Sequence, residues 1–212
     1  MLTRVELDEW FSDLDKIIFD TNISINNIQR ITQPVSEIEK KILSFGFFDQ
    51  FYYQSSFVII VQLCKVFQKN INQKRNFHNL FDRLCKDTYD QDIEFLLMTN
   101  GSGGQLSVAK DDLLNTINSF RLEIKSHEEV LIKVINRRNK LYAHSDPKCK
   151  VPNVEDDELE VLVKLSNKIY NELHYKFFLN TKGFEYTFSW RIDEILAVLS
   201  KFKQEDIAKH KH

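Results

Sequence analysis

The chain has 212 residues, with 29 Lys and Arg against 31 Asp and Glu, and its net charge of -2 gives no global signature of a nucleic-acid coat protein or polybasic membrane binder. Any anion site must be local. Hydrophobic residues make up 42% of the composition and aromatics 12%, with 17 Phe, which excludes disorder as the default and suits one domain over 1–212 with a core that needs no staples.

Only 5 Gly and 3 Pro punctuate the chain, and β-type alternation is scarce, so long helices are expected. Thr3 with Glu6 reads as a capping box opening a first helix that carries Leu7, Trp10, Phe11, Leu14, Ile17 and Ile18. Pro34 suits the first position of a second helix, with Val35, Ile38 and Ile42 at helical steps until Gly46. Residues 47–67 read as a central buried helix with a stripe of Phe51, Ser55, Val58, Ile59, Leu63, Val66 and Phe67. Asn76 caps a shorter amphipathic helix with Phe77, Leu80, Phe81 and Leu84.

The NGSGG stretch at 100–104 lacks the following Lys-Ser or Lys-Thr and the preceding strand of a phosphate loop, so it is read as a connection between helices. A heptad-like seam then runs over 108–142 through Ile117, Phe120, Ile124, His127, Leu131, Val134, Arg138 and Leu141. Two helices follow Pro147 and Pro152, one with Leu159, Leu162, Val163, Ile169, Tyr170, Leu173 and Phe177, the other from near Ser189 with Ile192, Ile195, Leu196, Leu199 and Phe202. The expected total is six or seven helices.

Three widely spaced cysteines, Cys64, Cys85 and Cys149, suit core thiols in a reducing compartment. The acidic start MLTRVELDEWF lacks a signal-peptide pattern and no apolar run approaches about 18 residues, so the expectation is a cytoplasmic chain without a membrane partner. His78 and His174 stand apart from the cysteines and read as satisfied structural histidines, while the acids from Glu155 to Glu158 compensate a helix dipole.

Arg138 places a permanent cation on an otherwise apolar seam, where it must pair with an acid, reach the surface at a helix end, or line an anion-binding cleft. His144 follows at a helix end, because Pro147 disfavours helix before it. On one helix, residues six apart diverge by about 120° and about 9 Å along the axis, so these two favour a site completed by a second copy across a twofold axis. Arg137, a heptad before His144, shares its face. Residues 121–150 add Arg121, Lys125, Lys133, Lys140, Lys148 and Lys150 against Glu123, Glu128, Glu129 and Asp146, a local excess able to attract RNA.

The segment RNKLYAH at 138–144, with polar Asn139 directly after the Arg and continuing into Ser145 and Asp146, resembles the Arg, four to six residues, His motif of the HEPN superfamily, in its abortive-infection type. The resemblance implies an all-α, HEPN-like bundle that dimerises along its motif helices and cleaves RNA without a metal or other cofactor. Carried over, Arg138 and His144 are the catalytic pair with Asn139 as support; beside them Arg137, Lys140 and Asp146 are expected to support the site or bind RNA. The implied role is a toxin or antiphage effector, with an antitoxin or regulatory protein as a further partner. The alternative is an inactive helical module that binds RNA, a nucleotide or a protein. Arg121 and His127 have the same spacing, but Leu122 follows the Arg and His127 falls on the seam, so that pair is read as structural.

Overall fold

The computed structural model describes residues 1–69, 74–86, 88–100, 104–143, 153–184 and 192–209. Among them the chain forms nine α-helices and one π-helix, with an isolated bridge between Leu2 and Tyr89 as the only sheet-like pairing. The all-helical class expected from the sequence is therefore what forms. No described helix is long and apolar enough to cross a membrane.

Helix α1 (Arg4–Thr32) opens on the expected capping box: Thr3 Oγ1 accepts from the Glu6 amide and the Glu6 carboxylate accepts from the Thr3 amide at 3.0 Å. Its buried stripe of Leu7, Trp10, Phe11, Leu14, Ile18, Ile25 and Ile28 packs most extensively on α3 (Gly46–Phe67) and next on α8 (Asp156–Phe178). From α3 come Ile59, Ile60, Leu63, Val66 and Phe67, and from α8 come Leu162, Ile169, Tyr170, Leu173 and Phe177. Register between α1 and α8 is fixed by one polar pair in this apolar seam. The Asn22 and Asn167 amides exchange hydrogen bonds of 2.8 and 2.9 Å, so a slip by one turn would strand both amides.

Several expectations need correction. Helix α2 (Glu37–Leu43) is capped by Ser36, whose Oγ accepts from the Glu39 amide at 3.2 Å, so Pro34 lies before the helix rather than at its first position. Gly46 does not end α2 but starts α3. Helix α4 (Phe77–Lys86) is capped as expected by Asn76. Helix α5 (Gln91–Asn100) was not anticipated. Asp90 starts it by accepting from the Ile93 amide at 2.9 Å, while its other oxygen accepts from the Arg4 amide at 2.7 Å, so one carboxylate serves the first turns of two helices. The long seam over 108–142 is broken at His127 into α6 (Leu106–Ser126) and α7 (Glu128–Arg137), and α7 runs on into a π-helix (Arg138–Ala143). These changes raise the expected six or seven helices to the observed count.

Leu196 of helix α9 (Asp193–Lys209) and Ile192 just before it are buried with Ile42, Leu43 and Phe48 in a second, smaller core, whereas the expected stripe members Ile195, Leu199 and Phe202 stay exposed. The small core is tied to α1 through Arg30. Its guanidinium reaches Glu39 and Asp193, each at 2.6 Å, and the other Glu39 oxygen accepts from the Val35 amide. The Arg30 and Glu39 side chains are only 12% and 9% exposed, so neither charge has water to fall back on. The Arg30 hydrogen bond holds the Glu39 carboxyl below its ordinary range.

Replacing Arg30 with Ala strands Glu39 and releases Asp193. Because Asp193 is partly solvated, the expected loss of unfolding free energy is at the lower end for a broken buried pair, about 3 kcal/mol, read by urea denaturation. A loss under about 1 kcal/mol, the range of a surface pair, would show that this node does not hold the small core in place.

Candidate functional site

Helix α7 begins immediately after the kink at His127, with Glu128 and Glu129 in its first turn, where acids suit the positive end of the helix dipole. Leu131 and Val134 bury its inner face, and the helix packs on α3. This orientation delivers its C-terminal end to the C-terminal end of α3. There the chain widens into the π-helix, an i→i+5 geometry that is rare and concentrated at functional sites.

Arg138 is the first residue of that π-helix and is half-buried. Its Nη1 donates to Gln68 Oε1 at 2.7 Å, and its Nε and Nη2 both donate to Asn139 Oδ1, at 3.1 and 2.7 Å. Cys64 lies one turn before Gln68 on α3. Burial pushes its thiol up to about 11, against the opposing pull of the Arg138 charge, so it is neutral at physiological pH. Every described group that holds Arg138 is neutral.

Arg137 has a different partner: Nη1 donates to Asn153 Oδ1 at 3.2 Å, and Nε is buried without an acceptor among the described residues. Nearby, the Tyr52 hydroxyl donates to Asp156 at 2.7 Å; burial first and the Asp156 carboxylate second push the phenol up to about 12. Lys140 continues along the π-helix at intermediate exposure. His144 and Asp146 lie outside the described residues, as do Lys148 and Lys150.

A comparison across the chain sets Arg137 and Arg138 apart. Among the described arginines, Arg4 pairs with Asp8, Arg30 with Glu39 and Asp193, Arg75 with Glu9 and Asp13, Arg83 with Glu6, and Arg121 with Asp82. Arg137 and Arg138, adjacent in sequence, are instead held by amide oxygens. An amide orients a guanidinium without cancelling its charge, so these two remain available to an anion.

The fold also trims the basic excess counted over 121–150. Arg121 is bound by Asp82 and Lys133 by Glu158, two acids that lie outside that window, although Lys168 from α8 takes up Glu123 and so gives one charge back. Among the described arginines of this window, Arg137 and Arg138 are the two that meet an amide rather than a carboxylate. Arg121 is tied to α4 through Asp82, and His127 sits between α6 and α7 and not inside a helix. Sequence reasoning missed Gln68. No motif marks it: it is the polar residue that ends a long apolar helix, and only the packing of α3 on α7 brings it to Arg138. No cluster of three or more His, Cys, Asp or Glu side chains able to hold a metal ion occurs among the described residues.

Comparison with protein-family models, curated proteins and solved structures returns no match. What sets the site apart is its chemistry: two adjacent arginines held by neutral amides where α7 passes into the π-helix.

His78 and His174 occupy structural positions, with ring nitrogens 3.0 and 3.1 Å from the Phe67 and Asn180 carbonyl oxygens. Burial is the main cause that lowers both below the ordinary histidine value, with Lys69 and Arg121 adding to it at His78. An unfolded histidine titrates near about 6.5, so below that pH the unfolded chain takes up protons that the folded chain refuses. Stability should therefore fall as pH drops through about 6.5 and level off once the folded values are passed. Thermal melts from pH 7.5 to 5.5 should show this decline, and the His78→Gln, His174→Gln double variant, less stable at pH 7.5, should show a flatter one. An equally steep decline in the double variant would assign the effect to other groups.

Proposed function

We propose that this chain is a metal-independent endoribonuclease of the HEPN kind, a HEPN-like bundle acting as a homodimer joined along its motif helices. Its role is that of a toxin or abortive-infection antiphage effector in the cytoplasm, restrained by an antitoxin or regulatory protein. The observation that carries this reading is the charge state of the motif: Arg137 and Arg138 alone among the described arginines are held by neutral amides. The π-helix at the motif and the RNKLYAH segment that continues into His144 add to it.

In the proposed reaction, neutral His144 takes the proton from a ribose 2′-hydroxyl, whose oxygen attacks the adjacent phosphorus. The bond to the 5′ oxygen breaks, an imidazolium returns a proton to that oxygen, and the products are a 2′,3′-cyclic phosphate and a 5′-hydroxyl end. Arg138 grips the non-bridging oxygens and offsets the charge that builds on them, with Asn139 fixing its fork. Arg137, Lys140 and Asp146 support the strand or the histidine. The sequence expectation that residues six apart on a regular helix diverge supports a site in which a second copy supplies the complementary member of each pair.

Incubation of the purified chain with total RNA in EDTA should give cleavage products by gel. His144→Ala should lose roughly 10² to 10⁴ in rate while remaining folded and RNA-binding. Arg138→Lys should also fail, since a point charge does not reproduce a bidentate grip. Equal cleavage by all three would mark a contaminant, and binding without cleavage by the wild type would move the chain to the inactive-module reading. Light scattering at micromolar concentration should give twice the monomer mass; a strict monomer would remove the composite site.

A further inference from the structure

Gln68 closes α3, yet its side chain contributes nothing to that helix end. The terminating hydrogen bond is made by its backbone amide to the Cys64 carbonyl at 3.0 Å. The side-chain oxygen is directed across the helix packing to Arg138 Nη1 at 2.7 Å. Asn139 Oδ1 takes Nε and Nη2, so two amide oxygens from different elements hold the two edges of one guanidinium. A planar fork gripped at both edges has its orientation fixed, and its remaining N–H donors have defined directions.

The chemical identity of the second acceptor matters as much as its position. A carboxylate at 68 would form the same hydrogen bond but would also pair with the charge, as Asp82 does with Arg121. Glutamine fixes the fork and leaves the cation to the ligand. Building on the ribonuclease reading, we infer that Gln68 is a positioning residue for the phosphodiester site, aiming the Arg138 guanidinium through a neutral hydrogen bond while preserving its charge for an RNA phosphate. The role is distinct from that of Asn139, because Gln68 reaches the motif from α3 and couples the aim of Arg138 to the α3–α7 packing.

Two substitutions separate aim from charge. Gln68→Leu removes the acceptor and keeps the cation, so RNA affinity and KM should change less than about threefold while kcat falls at least tenfold. Gln68→Glu keeps the hydrogen bond and pairs the cation, so the melting temperature should be unchanged or higher while both RNA affinity and kcat fall at least tenfold. Affinity is measured by fluorescence anisotropy with a labelled single-stranded RNA in EDTA, each change being placed on a His144→Ala background to prevent turnover. The Arg138 Nε–H resonance, assigned by its loss in Arg138→Lys, supplies a readout independent of activity and should shift in both Gln68 variants. If Gln68→Leu folds poorly, Gln68→Glu alone decides, since a merely structural glutamine tolerates glutamate without loss of RNA binding. Wild-type affinity and kcat in Gln68→Glu would overturn the inference while leaving the ribonuclease reading intact. A wild-type chain that neither binds nor cuts RNA would overturn both.

Discussion

A guanidinium keeps its charge at any pH a cell reaches, so each arginine drawn toward the interior must be met by something, and here the choice of partner divides the molecule. Where the partner is a carboxylate, the pair ties helices together: Arg30 joins α1 to α2 and α9, Arg83 joins α4 to α1, and Arg121 joins α6 to α4. These links surround an apolar seam of α1, α3 and α8 whose register the Asn22–Asn167 pair fixes. Where the partner is an amide, at Arg137 and Arg138, the same side chain is oriented but left charged. Carboxylate-paired and amide-held arginines thus differ in the partner they meet, and only the first kind ties one helix to another through opposite charges.

The parts of the fold written locally were legible in the sequence. The Thr3–Glu6 capping box, the Asn76 cap and the apolar spacing of α1, α3 and α8 all follow from residues within a turn or two of one another. What could not be read was decided at a distance. The seam over 108–142 has unbroken periodicity, yet the chain kinks at His127, and local spacing alone does not announce it. Helix α5 depends on Asp90, whose carboxylate is shared with the start of α1. At the candidate site, Arg138 stood out because a cation on an apolar stripe demands an explanation, but its partners did not. Counting charges along 121–150 overstated the free cations because Asp82 and Glu158 approach from other helices.

The apolar surface is unevenly spent. Most large side chains enter one core, whereas among the described side chains of α9 Leu196 joins Ile192, just before the helix, in the smaller one, and Ile195, Val198, Leu199 and Phe202 stay outward. A stripe at helical spacing is thus no guarantee of burial. With so little apolar area beneath it, α9 relies on the Asp193–Arg30 contact and on the Ile192 amide bonded to Asn27 Oδ1, so its attachment is polar in character where that of α8 is hydrophobic.

The π-helix at 138–143 has a consequence for how this segment tolerates changes in length. An i→i+5 turn holds one residue more than the α-helical turn it replaces, so it is the form a helix takes when an extra residue is accommodated without breaking the chain. Deleting a single residue here would let α7 run on as a regular helix, with the extra residue of the wide turn gone. Arg137 and the residues that hold α7 against α3 would stay where they are. The length of this segment is thus separable from the packing of the helix that carries it: the turn can give up a residue that the bundle before it cannot.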